Sequence, residues 1–213
     1  MVRFSLFGIP IEIQPWFWVT LAILGGALGA NSADAILGVC IFILAGGFSI
    51  LVHELGHALT IRAFGAPTRI VLYAFGGFAS YPAGVFGQGK SFVISAAGPA
   101  VQLVLGAVAG FVLFTVPLPT VAAKQVFFFL FWVSIFWAVL NLIPVIPLDG
   151  GQMLAAVLGP RRRDLALRIS MVAAVLGAVG IFVVFHSYIF PIFMLLFAWE
   201  NYKELRAFRP GGW

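Results

Sequence analysis

Charged residues are sparse along this chain, and the intervals between them are long and apolar. Free of Asp, Glu, Lys and Arg are Ile13–Ala33 (21 residues), Ala35–His53 (19), Ser91–Ala123 (33), Gln125–Leu148 (24) and Ile169–Trp199 (31). The second run continues apolar to Ile61, broken only by His53, Glu54 and His57. A bilayer crossing takes about 20 apolar residues at about 1.5 Å rise each, so every run is long enough. The pattern predicts helices apolar on all sides, the signature of buried or membrane-spanning helices rather than amphipathic ones.

Two stretches break this pattern. Ile70–Gly89 is uncharged but carries Gly76, Gly77, Gly84, Gly87, Gly89 and Pro82, which suit turns rather than a helix. Within it, Arg69–Ala79 is rich in β-branched and aromatic residues around Gly76-Gly77 and predicts a short hairpin. Val2–Phe7 and Ile11–Gln14, flanking Gly8-Ile9-Pro10, predict a second one. Non-helical backbone at membrane depth must be buried in protein or line a wet cavity, so the hairpins are expected at the interface or in such a cavity.

Composition fixes the class. The chain has 213 residues, 62% hydrophobic and 9% charged, with mean hydropathy +1.11. A soluble domain carries about 25% charge, and disordered or collagen-like chains have other compositions again. The expected fold class is an all-α polytopic membrane protein, a single domain over residues 1–213, with short β-hairpins at the N-terminus and between helices 2 and 3. The one cysteine, Cys40, excludes an internal disulfide and a thiolate metal cage, and reads as a small packing residue. Ala27–Ala30 mimics a signal-peptidase site, but the leader before this run holds Glu12 and a Gly-Pro turn, so the run is read as a retained span.

The last apolar run is one long helix or two spans broken near His186-Ser187 and Pro191. Basic residues decide between them, because they concentrate on the cytoplasmic side. Six spans, at about 16–30, 36–61, 91–116, 121–142, 165–185 and 188–205, place Arg3, Arg62, Arg69, Lys90, Arg161, Arg162, Arg163, Arg168, Lys203, Arg206 and Arg209 on one side and only Lys124 on the other. Five spans give eight against four. The expectation is therefore six spans in the cell membrane with both termini cytoplasmic. The Arg161–Arg163 run reads as a topology anchor at anionic headgroups.

The chemistry stands inside the second span, at His53-Glu54-Leu55-Gly56-His57. Histidines at i and i+4 project from one helix face and can bind one tetrahedral metal, while the adjacent Glu54 can take a proton from water beside it. The plainer reading is a hydrogen-bonded polar patch that glues helices. Against it, each ionisable group at the centre of a span costs roughly 2.5–3.5 kcal/mol to insert, so an intramembrane cluster is functional by default. The third histidine, His186, falls in a loop on the opposite side.

A catalytic zinc takes three protein ligands and leaves a position open. With no further His or Cys on the correct side, a carboxylate is implied. Asp34 is on the opposite face, and Asp164 sits in a basic cluster. Glu12, Glu200 and Glu204 are on the cytoplasmic side and stay open. Asp149 is best placed, at the cytoplasmic end of the fourth span in Asn141-Leu-Ile-Pro144-Val-Ile-Pro147-Leu-Asp149-Gly150. Asp-Gly alone is commonly a turn or a helix N-cap, but here two prolines interrupt the helix at membrane depth. The small residues Ser91, Ser95, Ala96, Gly98 and Ala100 are read as tight helix packing without chemistry.

His53-Glu-Leu-Gly-His57, together with Asn141-x-x-Pro144-x-x-Pro147-x-Asp149-Gly150, resembles the site-2 protease family of intramembrane zinc metalloproteases. Phe7-Gly-Ile-Pro10, Phe75-Gly-Gly77 and Ser95-Ala-Ala-Gly-Pro99 resemble the family's softer features, in the same order along nearly the whole chain. The resemblance implies one Zn2+ held by His53, His57 and Asp149, Glu54 as general base, and Asn141 positioning the substrate backbone. It is to the minimal form, without PDZ or CBS domain. The implied activity is endoproteolysis of a single-span membrane protein within the lipid bilayer, near the cytoplasmic side. No nucleic-acid partner is expected, and the sequence leaves the oligomeric state open.

A helical substrate must unwind before it is cut, and one strand of the Arg69–Ala79 hairpin is expected to pair with it, with Gly76 and Gly77 allowing close approach. A hairpin that only plugs the cavity is the competing reading. Three other functions are weighed. A metal transporter would want ligands along a path, and none occur in the outer half. A non-catalytic metal-binding scaffold would want a closed four-ligand site. A metallohydrolase acting on non-protein substrates is separated from a protease only by the resemblance.

Overall fold

The structure is a computed structural model and describes residues 1–82, 84–186 and 188–207. Ser187 and Arg209, used above for topology, lie outside the described residues. In chain order the elements are β1 (Val2–Leu6), β2 (Ile9–Ile13), α1 (Pro15–Leu24), α2 (Ala33–Ala63), β3 (Arg69–Tyr73), β4 (Gly76–Ser80), α3 (Gln88–Thr115), α4 (Val121–Leu142), α5 (Asp149–Leu158), α6 (Arg163–Phe185) and α7 (Ile189–Ala207). Single 3-10 turns occur at Ala27–Gly29 and Pro160–Arg162. These elements form two compact units. One comprises Met1–Val85 with Ala97–Ala138, the other Phe86–Ala96 with the chain from Val139 onward.

In the first unit both predicted hairpins are present, and they join. β1 pairs antiparallel with β2, β3 antiparallel with β4, and β2 runs parallel to β3, giving one four-stranded sheet in the order β1-β2-β3-β4. The Gln14 N–H continues the parallel ladder by donating to the Leu72 carbonyl at 2.9 Å. Ile9, Ile11, Ile13, Ile70 and Leu72 alternate onto one sheet face and pack with Phe17, Leu21, Ile50 and Ala58. The sheet is thereby fixed on α1 and α2.

The first span is shorter than predicted. Instead of running to Ala30, α1 ends at Leu24, where Gly25 caps it and Gly26 adopts φ +87°. Ten residues rise about 15 Å, half of a hydrocarbon core. α2, α3, α4 and the stretch Pro160–Val184 are long and apolar enough to cross a membrane. The described residues thus give four candidate spans rather than a confirmed six. The last apolar run does break where expected. His186, with φ +50°, ends α6, while Pro191 sits in the first turn of α7, where its missing N–H costs nothing.

α2 shows how its sequence sorts inside from outside. Its buried positions include Ala45, Gly46, Gly47, Ser49, His53, Glu54, Gly56 and His57, whereas Leu37, Leu44, Phe48 and Leu59 are exposed. Ile41, Ile50 and Ile61 are buried too, so small and polar residues share the inner face with a few isoleucines while other large apolar side chains point outward. Cys40 is a correction: it is exposed rather than packed. Of the small residues of α3, buried Gly98 does serve close packing, whereas Ala100 is exposed. A Cβ on Gly56 would stand 2.7 Å from the Ala97 carbonyl oxygen and 3.0 Å from the Gly98 Cα.

In the second unit α6 and α7 pack along each other and hold the proline loop before α5. Ser170 Oγ accepts from the Ile146 N–H at 2.7 Å, and Asn201 Nδ2 donates to the Ile146 carbonyl at 2.9 Å and to Ser170 Oγ at 2.7 Å. Both polar groups of one buried peptide residue are thus satisfied by side chains, which irregular backbone at membrane depth requires. Arg163 and Glu204 tie the helices again through two contacts, at 2.8 and 3.2 Å.

Candidate active site

The site is built on one face of α2. Ser49, His53 and His57 follow at i, i+4 and i+8, so their side chains stack along the helix. All three are buried, with His53 at 3% and His57 at 8% exposure. The two Nε2 atoms face each other at 3.0 Å. Two imidazoles on one tetrahedral zinc, each about 2.0–2.1 Å from it, hold their nitrogens about 3.4 Å apart. The pair as folded is therefore close to what a shared cation demands.

The next helix leaves room for that cation. A Cβ on Gly98 of α3 would lie 2.3 Å from His57 Nε2 and 2.9 Å from His53 Nε2. Only the missing side chain keeps the space before both nitrogens open. One turn further along α3, buried Gln102 meets His53 Nδ1 through Oε1 at 2.9 Å. Neither Gly98 nor Gln102 was assigned chemistry from the sequence. The signal available was their i, i+4 spacing on a helix that must pack beside the histidines.

Glu54, 4% exposed, lies toward the sheet. β4 runs past it so closely that a Cβ on Gly77 would stand 2.6 Å from Glu54 Cγ and 2.7 Å from its Oε1. Gly76 has φ +123° and faces Trp137 of α4. Both glycines are thus explained by close approach, and Gly76 also by a left-handed backbone. On β3, burial first and the Glu54 charge second push the Tyr73 phenol above its ordinary value of 10, so it stays neutral beside the carboxylate.

Of the predicted residues, the first unit brings together His53, His57, Glu54 and Gly77. Asn141 and Asp149 belong to the second unit. Half-buried Asn141 stands in the last turn of α4. Asp149 is neither a turn residue nor an N-cap: Leu148 caps α5, and Asp149 is its first helical residue. Gly150 and Gly151 let this helix start directly on the preceding loop. A Cβ on Gly150 would be 2.2 Å from the Leu142 carbonyl oxygen, and one on Gly151 would be 2.4 Å from the Ile146 nitrogen. The Asp-Gly-Gly sequence therefore presents Asp149 at a fixed place on rigid backbone.

Comparison with known proteins gives a family match, several relatives and one structural likeness. The family model described as peptidase family M50 matches residues 117–185. The Synechocystis protein named "Putative zinc metalloprotease sll0528" is 34% identical over 163 residues, covering 72% of this chain and 42% of that protein. "Zinc metalloprotease MJ0392" of Methanocaldococcus jannaschii is 29% identical over 163 residues, covering 74% of this chain and 45% of that one. The chain thus spans less than half the length of these curated relatives. The solved site-2 protease from Methanocaldococcus jannaschii shares the fold, with TM-score 0.62 at 24% identity over 100% of this chain and 98% of that one. With its helices of spanning length, this is an integral membrane protein. The chain is thus similar to peptidase family M50 over residues 117–185 and shares the fold of a site-2 protease.

Proposed function

We propose that this chain is a zinc-dependent endopeptidase that cuts a transmembrane segment of a single-span membrane protein near the cytoplasmic side of the bilayer. The observation that carries this reading is the meeting, around one turn of α2, of two facing imidazoles, a buried carboxylate and the backbone of β4. His53, His57 and Asp149 would hold one zinc, a donor set suited to that ion. Zinc, when bound, supplies Lewis acidity that acidifies water and stabilises charge on a carbonyl oxygen.

Glu54 takes the proton from the attacking water and returns it to the leaving amine. It is buried, and neutral Tyr73 beside it adds no charge. Asn141 positions the substrate backbone. The charge distribution favours both termini on the cytoplasmic side.

The sheet order supports a docking edge. β3 is occupied on both sides, by β2 and β4, so β4 is the strand of this hairpin with an edge to offer. An unwound substrate pairing there would pass the Glu54 carboxylate, and Gly76 and Gly77 admit the approach. A proline in β4, at a position whose N–H faces away from β3, should slow cleavage of a model single-span substrate by at least about tenfold, the loss of one or more ladder hydrogen bonds. Zinc content should not change. Unchanged cleavage would leave the hairpin as a plug.

Removal of metal tests the reading as a whole. Protein stripped with a strong chelator should lose cleavage of that substrate and regain it on addition of about one equivalent of zinc. Movement of zinc across proteoliposomes without cleavage would point to a transporter. Tightly held zinc with no cleavage would point to a scaffold or to a hydrolase of non-protein substrates.

A further inference from the structure

We infer that Gln102 is a positioning residue that sets the tautomer of His53 and aims its Nε2 at the cation, held in turn by Ser49. The inference rests on the reading of His53 as a metal ligand. It adds a residue outside the catalytic motif, on another helix.

The atoms settle the direction of every bond in this chain of contacts. Gln102 Nε2 reaches the Ser49 backbone carbonyl at 3.4 Å and Ser49 Oγ at 2.9 Å. A carbonyl oxygen only accepts, so the amide nitrogen must be the end of Gln102 that points to Ser49. Oε1 therefore points to His53 and also only accepts. His53 Nδ1, 2.9 Å away, must then carry the ring proton. In a neutral imidazole this leaves Nε2 as the unprotonated, lone-pair-bearing nitrogen, directed toward His57 Nε2 and the space kept open by Gly98. A backbone carbonyl of α2 thus dictates, through one amide, which nitrogen of a histidine one turn later can bind metal.

The supports of Gln102 are rigid. Ser49, Gln102 and Ser134 are each 0% exposed, and Ser49 Oγ lies 2.8 Å from Ser134 Oγ of α4. Three helices thereby contribute to one polar network. Gln102 is an amide, uncharged in either direction, so it orients the imidazole without adding a buried charge that lipid surroundings would penalise.

Such partners of metal-binding histidines are worth about 10–100-fold in affinity. Zinc binding is measured by competition with a chelator of known affinity, alongside thermal unfolding in the same detergent. Gln102→Leu keeps the volume but removes the acceptor, and should bind zinc about 10–100-fold more weakly. Gln102→Glu keeps an acceptor toward Nδ1 and should recover most of that loss. A leucine variant that binds zinc as tightly as wild type, or a glutamate variant no better than leucine, would overturn the inference.

The wild type alone gives a second readout that needs no variant to fold. In metal-free protein labelled with 15N-histidine, His53 should show a protonated Nδ1 and an unprotonated Nε2. The reverse tautomer would overturn the inference. Wild type that binds no zinc while His53 keeps the expected tautomer would fault the metal-ligand reading instead.

Discussion

Glu54→Gln should abolish proteolysis and leave zinc in place. The substitution preserves shape, so β4 can keep its close passage at Gly77. An amide cannot take a proton from water at neutral pH, and the loss of a positioned general base costs about 10²–10⁴ in rate. The histidines are untouched, and their facing nitrogens at 3.0 Å do not depend on Glu54 for their hydrogen bonds to each other or to Gln102. The check is paired: zinc per mole of protein, and cleavage of a single-span substrate, for wild type and variant purified alike. Equal zinc with cleavage lost is the expected pair. Retained cleavage would remove Glu54 from the chemistry, and lost zinc would make it a ligand or a structural support instead.

That motif was legible because its setting is hostile to it. A helix apolar on all sides gives ionisable residues no surface reason to exist, and i, i+4 spacing then points both histidines one way. Helix α4 was legible to the residue for a similar reason, bounded by a proline-containing loop on each side. The break in the last apolar run was found through basic residues, although the left-handed turn that makes it belongs to His186.

What stayed hidden is of one kind: contacts between segments far apart in sequence. Each hairpin announces itself locally, but the parallel pairing of Ile11–Ile13 with Ile70–Leu72 leaves no local mark. The glycines of Asp149-Gly150-Gly151 read as a turn, whereas their reason is the backbone of Leu142–Ile146 lying against them. In the sequence Gln102 is one polar residue in an apolar run. Only the structure shows it on the histidine face, bound to the backbone of Ser49.

Gly98→Ala should empty the metal site while leaving the fold in place. A single methyl group is added, but its carbon would fall 2.3 Å from His57 Nε2, 2.5 Å from His57 Cε1 and 2.9 Å from His53 Nε2. Zinc bonds imidazole nitrogen at about 2.0–2.1 Å, so the methyl claims the same space as the ion. The imidazoles can relieve the clash only by turning, and turning parts two nitrogens that now face each other at 3.0 Å. His53 resists because Gln102 holds its other nitrogen, so His57 is the ring expected to swing away. With one of its ligands displaced, zinc affinity should fall by at least about 100-fold, judged against the 10–100-fold effect of losing only a ligand's hydrogen-bond partner. Helix propensity works the other way, since alanine favours a helix over glycine by about 1 kcal/mol, so loss of helical structure is not expected from the backbone. Chelator competition, circular dichroism and cleavage on the same preparation separate the cases. Weak zinc, full helicity and no cleavage are expected together. Full zinc loading in the alanine variant would show that the ion does not sit between the two facing nitrogens.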